Sequence, residues 1–140
     1  MKNILFTGVS SFTGFNFVKK MSENKNFNIF CVLTRNKKNY SFLQKKRIEI
    51  IKKKKNVHLL YNCKFGDENF IKLLKEKKFK ILCFHHSYTK NYNDDFKFDF
   101  SKSLVNNLNN IENVFKEILK NSKVIISNTY SQSSLKNKAF

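Results

Sequence analysis

The stretch that decides the fold is Thr7-Gly8-Val9-Ser10-Ser11-Phe12-Thr13-Gly14, which directly follows the apolar run Ile4-Leu5-Phe6. Two of the chain's three glycines, Gly8 and Gly14, lie within it. Glycine is needed where the backbone turns sharply or approaches a ligand closely. A chain this poor in glycine that places it here is typical of a phosphate-binding turn between a strand and a helix.

Apolar residues in the rest of the chain predict alternating strands and helices. Five short runs are continuously apolar, as in buried strands, and four longer segments have helical spacing. The predicted strands are 2–7, 28–34, 57–61, 80–85 and 123–127, and the predicted helices are 12–21, 40–51, 67–77 and 100–119. Strands that are apolar on both faces are covered by helices on both sides and run parallel. The expected fold class is therefore α/β, a doubly wound parallel sheet with strand order 3-2-1-4-5.

The same spacing predicts which helical side chains face the core. In helix 40–51 these are Phe42, Leu43, Ile48 and Ile51. In the single long helix 100–119 they are Leu104, Leu108, Ile111, Phe115, Ile118 and Leu119. We expect one domain, residues 1–130, and a polar C-terminal tail, residues 131–140.

The formal net charge of +18 is a weak argument for nucleic-acid binding. Only Arg35 and Arg47 among the 28 basic residues are arginine, and proline and tryptophan are absent, which is typical of AT-rich codon usage. Proteins that read bases favour arginine for its forked donors. Excess lysine still attracts polyanions without sequence preference, so a dedicated nucleic-acid partner is not expected and any such binding should be nonspecific.

The chain has neither an apolar run of the roughly 20 residues that a membrane span needs nor the pattern of a signal peptide. The expected location is cytoplasmic, with no membrane partner. Cys31, Cys63 and Cys83 include no CxxC pair, which favours buried, reduced thiols over disulfides or a metal site.

In these motifs the chain resembles the extended short-chain dehydrogenase/reductase family, the NAD(P)-dependent sugar-nucleotide epimerases and dehydratases. Residues 7–14 match the family's T-G-x-x-G-F-x-G, with Ser11 in place of the middle glycine. The segment 84–88 resembles the family's His-x-Ala-like segment, and 107–114 its N-x-x-G-T-x-N-V. Where the family has Gly-Asp after the third strand, this chain has Asn62-Cys63.

The resemblance implies a Rossmann domain that binds NADP or NAD. The residues that it assigns to cofactor binding are Gly8, Ser10, Ser11, Phe12, Thr13, Gly14, Arg35, Ser87 and Asn107. Arg35 follows the second strand, where it faces a 2′-phosphate and mildly favours NADP, or is simply an exposed basic residue. Thr129 falls on the position of the family's catalytic serine or threonine, as a remnant of the catalytic set.

The family's catalytic pair, a tyrosine with a lysine four residues later, is absent from the sequence. None of the five tyrosines has a lysine at that spacing. The resemblance covers the N-terminal half or so of a typical member, so we expect a truncated or degenerate cofactor-binding part that is inactive alone. A nucleotide sugar is a substrate only for a complete enzyme.

Three alternatives stay open. The chain is an enzyme fragment or degenerate member, a non-catalytic basic module for nucleic acid or a partner subunit, or the product of an interrupted gene. An unprotected fifth strand invites association, which leaves an oligomer open.

Metal and hydrolase chemistry are disfavoured. His85 and His86 are adjacent at a strand end and point to opposite faces, so both do not easily ligate one ion. Asp94, Asp95 and Asp99 fit a polar loop that caps the next helix. Ser127 and Thr129 lack a recognisable general base and nucleophile elbow.

Overall fold

A computed structural model of the chain describes residues 1–88, 90–91, 96–120 and 123–126. Five parallel strands form one sheet in the order β3-β2-β1-β4-β5, so the predicted fold class and strand order are confirmed. The strands are β1 Lys2–Phe6, β2 Phe27–Val32, β3 Val57–Leu60, β4 Ile81–Phe84 and β5 Lys123–Ile126. The helices are α1 Phe12–Met21, α2 Phe42–Lys52, α3 Glu68–Glu76, α4 Phe100–Leu108 and α5 Ile111–Ile118, with a 3₁₀ turn at Lys37–Asn39.

The central strand β1 pairs with β2 on one side and with β4 on the other. The chain moves outward from β1 to β3, then returns to the far side of β1 to form β4 and β5. The loops that follow β1 and β4 therefore leave the sheet in different directions. In doubly wound sheets, ligands bind in the crevice at this point.

Successive side chains of β1 enter two separate cores, because a strand alternates its faces. Leu5 packs with Phe30, Phe70, Leu82 and Val114 on the side covered by α3 and α5. On the opposite side, the core covered by α1 and α2 contains Phe6, Val18, Ile29, Ile48 and Ile51. Both faces of the sheet are thus covered, as the continuously apolar strands predict.

The prediction of one helix over 100–119 is wrong, because the helix breaks at Asn109 and Asn110. Asn110 has a left-handed backbone, φ 52°. The amide of Asn109 donates to the Phe65 carbonyl at 3.1 Å, and that of Asn110 to the Gly66 carbonyl at 3.2 Å. A Cβ on Gly66 would lie 1.8 Å from the Asn109 carbonyl oxygen, so the third glycine lets the two segments touch.

Because of this break, only some of the apolar residues that the sequence predicts to face the core from this region do so. Val114 and Ile118 are buried, and Ile111 and Phe115 pack against the same core, as predicted for Ile111, Phe115 and Ile118 but not for Val114. By contrast, the expected core positions Leu104, Leu108 and Leu119 are exposed.

A second correction concerns the first turn of α2. Ile48 and Ile51 are buried as predicted, but Phe42 and Leu43 are 69% and 61% exposed. Tyr40, just before the helix, is buried in the core at this end. The ring of Phe42 instead lies under the ammonium group of Lys46, 4.4 Å from Nζ to the ring centroid.

Among the described residues, no helix is long and apolar enough to cross a membrane. Cys31, Cys63 and Cys83 are free thiols, with the first two buried. The predicted tail 131–140 and the boundary at residue 130 lie outside the described residues, as do Thr129, Ser127, Asp94 and Asp95.

Candidate functional site

The turn after β1 requires glycine at position 8. Gly8 has φ +76°, which L side chains rarely adopt. A Cβ there would also lie 2.8 Å from the His85 carbonyl oxygen and 2.9 Å from the Cα of His86. The turn can therefore pass directly over the end of β4 only because this residue has no side chain.

The hydroxyl of Thr7 joins the ends of β1 and β4. Its Oγ1 accepts hydrogen bonds from the backbone N–H groups of His85, at 2.8 Å, and His86, at 3.1 Å. It donates to the carbonyl oxygen of Cys83 at 3.2 Å. This buried threonine holds the two diverging loops at a fixed separation.

Helix α1 starts against the turn through Ser11 and Gly14. Ser11 is the N-cap: its Oγ accepts from the Gly14 N–H at 3.0 Å and donates to the Gly8 carbonyl at 2.9 Å. The serine that replaces the family's middle glycine thus folds its side chain back into the cap. A Cβ at Gly14 would lie 2.3 Å from the Gly8 oxygen, so glycine is required there too.

Two donors at the start of α1 remain for a ligand. The first N–H groups of a helix have no partner within the helix. Gly14 is capped by Ser11, whereas the N–H groups of Phe12 and Thr13 have no partner in the part of the chain that the structure describes. Together with the positive end of the helix dipole, these N–H groups could hold an anion at the crevice.

Arg47 also belongs to this turn, although the sequence motifs do not include it. Its Nη1 donates to the Ser10 carbonyl at 3.2 Å, and its guanidinium carbon lies 5.7 Å from the centroid of the Phe12 ring. Phe12 is otherwise exposed. The sequence feature that could have pointed to Arg47 is the rarity of arginine in this lysine-rich chain. Both arginines lie near the carboxyl edge of the sheet.

Arg35 lies three residues after the end of β2, the strand that pairs with β1. Its N–H donates to the hydroxyl oxygen of Tyr40 at 3.1 Å, and its guanidinium carbon is 5.8 Å from that ring's centroid. Its side chain is exposed toward solvent. After β3, Asn62 has a left-handed backbone, φ 53°, and the adjacent Cys63 is buried. Neither side chain is a carboxylate, so these two positions supply no acid at this edge of the sheet.

The two histidines after β4 point to opposite faces, as predicted. The His85 ring lies against Phe6 and Phe17, whereas that of His86 lies against Phe65 and Phe84. Among the described residues, no group of three or more His, Cys, Asp or Glu residues could hold a metal ion.

His86 is a half-buried imidazole beside the crevice. Its Nδ1 lies 3.1 Å from Thr7 Oγ1, and its Nε2 is buried without a hydrogen bond among the described residues. Burial lowers the pKa of His86 to about 4; the backbone of Asn107 acts against this shift, and the nearby His85 adds to it.

Of the remaining predicted residues, Ser87 is exposed at the crevice edge and Asn107 serves the loop beside it. The Asn107 side chain accepts from the Tyr88 N–H at 2.8 Å and donates to Ser103 Oγ at 3.1 Å. The structure therefore brings residues 8–14 together with 85–88, and Asn107 reaches the site through Tyr88. Thr129 lies outside the described residues.

No sequence-family model matches the chain, and no curated protein matches it. Solved structures with the same fold include two sugar-nucleotide epimerases and a third protein, Gre2. A UDP-glucuronic acid 4-epimerase from Bacillus cereus, in complex with NAD, is 16% identical with a TM-score of 0.65, over 89% of this chain and 39% of that chain. A UDP-Glc/GlcNAc 4-epimerase from Campylobacter jejuni is 17% identical with a TM-score of 0.65, over 90% and 36%. Gre2 from Candida albicans is 17% identical with a TM-score of 0.62, over 93% and 37%.

The chain thus has the Rossmann fold of these epimerases, and the predicted resemblance is confirmed at the level of the fold. It spans less than half the length of each of the three structures.

Proposed function

We propose that this chain binds a nicotinamide dinucleotide at the turn between β1 and α1. The proposal rests on two N–H groups at the positive end of a helix beside the crevice, those of Phe12 and Thr13, which have no partner among the described residues. A diphosphate is the anion that this arrangement suits. The solved structures with this fold include an epimerase in complex with NAD.

The residues of the turn fit such a group. The hydroxyl of Ser11 is turned toward Gly8 and Gly14, so it leaves the front of the helix open. Gly8 and Gly14 let the turn, the helix and the end of β4 approach one another closely. When bound, the dinucleotide supplies hydride transfer; the residues described here bind and orient it.

Within the proposal, Arg35 favours NADP over NAD. The exposed guanidinium group follows β2, the strand next to β1, and Tyr40 holds its backbone and lies beneath it. A charge-assisted hydrogen bond to a 2′-phosphate contributes about 1.5–3 kcal/mol.

The proposal is binding without turnover by this 140-residue chain. In the family that it resembles, the pKa of a tyrosine is lowered by a lysine so that it moves the proton, and no tyrosine here has that lysine. Redox epimerisation or dehydration of a nucleotide sugar is the proposed activity of a complete enzyme. Measurable epimerisation of a UDP-sugar by the purified chain would contradict this part.

The binding test uses NADPH fluorescence titrations of the wild type and of Ser11→Asp. Aspartate can accept the Gly14 N–H as serine does, although it cannot donate to the Gly8 carbonyl, so urea denaturation checks that the variant stays folded while a carboxylate stands beside the proposed diphosphate. We expect saturable binding to the wild type and at least about tenfold weaker binding to Ser11→Asp, from like-charge repulsion.

Ser41→Asp is the control, because Ser41 is also a serine N-cap whose side chain accepts a backbone N–H, that of Gln44 in α2. It should bind NADPH like the wild type. The proposal fails if the wild type does not bind NADPH or NADH at millimolar concentration, or if both aspartate variants bind equally well.

The coenzyme preference is tested with Arg35→Gln against Lys38→Gln, an exposed lysine in the same loop. Arg35→Gln should weaken NADPH binding about tenfold or more and leave NADH unchanged. Equal effects of the two substitutions would remove the preference but not the site.

A further inference from the structure

The edge of the sheet opposite the candidate site is strongly basic. The connections that lead from α1, α2 and α3 to the next strand lie there, together with the end of α5. We define the basic edge as Lys2 with residues 19–26, 52–56, 75–80 and 117–120. These residues contain thirteen lysines and three glutamates, which leaves +10 of the chain's +18.

Most of this charge is unpaired and faces solvent. Glu23 pairs with Lys20 at 2.6 Å and Glu117 with Lys120 at 3.1 Å, and Glu76 pairs with Lys72 outside the edge. The other eleven lysines of the edge have no ion pair in the described part of the chain. All of them except the half-buried Lys54 are exposed.

The helix dipoles offset only part of the positive charge of this edge. Four helices, α1, α2, α3 and α5, end at the basic edge, and each C-terminus carries roughly −0.5 of an elementary charge. Their sum of about −2 is far smaller than +10. A strong positive potential therefore remains at this edge.

Asparagine side chains tie the connections into one surface. The amide of Asn56 donates to the carbonyls of Ser22, Asn24 and Phe27, at 3.0–3.2 Å. The amide of Asn3 donates to the Lys78 carbonyl at 3.2 Å. These hydrogen bonds fix the backbones of neighbouring connections relative to one another, and the lysine side chains extend from those backbones.

The chemistry of the edge favours phosphate in a duplex. Its one aromatic residue, Phe79, is buried, so the edge offers no ring on which unpaired bases could stack. Leu119 and the adjacent Met1 are its exposed large apolar side chains, which is little for insertion into a membrane surface. A cleft of about 240 Å³ between α3 and α5 has room for phosphate oxygens. Its charged lining is Lys75, Lys77, Lys78 and Lys120, with one carboxylate, Glu117, which is paired with Lys120.

We propose that the basic edge binds the phosphate backbone of double-stranded nucleic acid without sequence preference. Lysine suits this role as a point charge on phosphate, whereas arginine would be expected for base reading. The surface lies at the opposite edge of the sheet from the turn 7–14, so the two binding events are independent.

The test measures fluorescence anisotropy of a labelled duplex of mixed sequence at several KCl concentrations. The edge variant carries Lys53→Gln, Lys55→Gln, Lys77→Gln and Lys78→Gln. The control variant, with the same net charge, carries Lys45→Gln, Lys64→Gln, Lys90→Gln and Lys102→Gln, all exposed and outside the edge. Circular dichroism checks that both variants fold.

We expect the edge variant to bind at least about tenfold more weakly at low salt and to lower the salt slope by about 3 to 4, since each contact contributes about 0.9. The control should stay within about threefold of the wild type. Saturating NADPH should leave duplex affinity unchanged.

Equal weakening of both variants would show diffuse attraction and overturn the proposal. So would a wild type that binds vesicles of phosphatidylserine and phosphatidylcholine but not the duplex. Neither result bears on NADPH binding, which the Ser11→Asp variant tests separately.

Discussion

Gly14 packs so closely on Gly8 that a Cβ at position 14 would lie 2.3 Å from the Gly8 carbonyl oxygen. The same oxygen accepts the Ser11 N–H at 3.2 Å and the Ser11 hydroxyl at 2.9 Å. The Gly8 carbonyl oxygen thus fixes where α1 begins and the direction in which the N–H groups of Phe12 and Thr13 point at the crevice.

Gly14→Ala should therefore destabilise the protein. At an ordinary helix position alanine is better than glycine by about 1 kcal/mol. Here the added methyl group must push α1 away from the turn, and we expect a net loss of about 1–3 kcal/mol with weaker NADPH binding. Urea denaturation measures the free energy of unfolding. Asn16→Ala, in the same helix but exposed, is the control and should be nearly neutral.

Arg47 should act as a positioning residue for the turn. Arg47→Met removes the hydrogen bond to the Ser10 carbonyl and the contact with the Phe12 ring. A net hydrogen bond contributes about 1 kcal/mol, so NADPH affinity should fall about fivefold. Lys46→Met is the control, since Lys46 also lies over a phenylalanine ring but away from the turn. Similar losses in both variants would argue against a specific role for Arg47.

The sheet could be predicted from sequence because its signals are local. Each strand is a short apolar run, and the handedness of parallel crossovers leaves few orders for five such strands. The turn at 7–14 was also predictable, since the contacts of Gly8 and Gly14 with each other lie within seven residues. The contact of Gly8 with His85 and His86 was not, because it depends on β4.

The break between α4 and α5 was hidden by an apolar spacing that continues across it, from Leu108 to Ile111 and Phe115. The bend is set by contacts of Asn109 and Asn110 with Phe65 and Gly66, 44 residues away. The usable signal was the asparagine pair. Each described non-glycine residue with positive φ, namely Asn62, Asn91 and Asn110, is an asparagine.

The site itself was predicted only in part, because some of its contacts also join residues that are far apart in the sequence. Arg47 reaches Ser10 from 37 residues along the chain, and no spacing rule connects them. The burial of His86 depends on Phe65 and Phe84, which close over it from the α3 side of the sheet.

His86 should make stability depend on pH. Its pKa is lowered to about 4 in the folded protein, so between pH 6.5 and 4 the unfolded chain takes up a proton that the folded chain does not. His86 therefore leaves the free energy of unfolding unchanged above pH 6.5 and lowers it as the pH falls below 6.5. At about 1.4 kcal/mol per pH unit, the loss from pH 7 to 5 is about 2 kcal/mol.

His86→Gln should remove that part of the pH dependence, as measured by urea denaturation at pH 7 and pH 5. Glu23 and Glu49, whose pKa values are lowered by Lys20 and Lys37, contribute equally in both proteins and cancel in the difference. His58→Gln is the control, because His58 is exposed on β3. An unchanged pH dependence in His86→Gln would show that the imidazole is accessible to protons.

The three thiols should react slowly and in a fixed order. Burial raises the pKa of Cys83 to about 11 and that of Cys63 to about 12, and it raises the pKa of Cys31 further. At pH 8 the thiolate fraction, and with it the rate of reaction with a disulfide reagent, should be about a hundredfold or more below that of a free cysteine. Cys83 is only half-buried and should react first, whereas Cys31, fully buried on β2, should react only as the protein unfolds. Cys83→Ser should remove the faster phase and leave the slower ones, and rapid labelling of Cys31 in that variant would contradict the packing of β2 against α1 and α2.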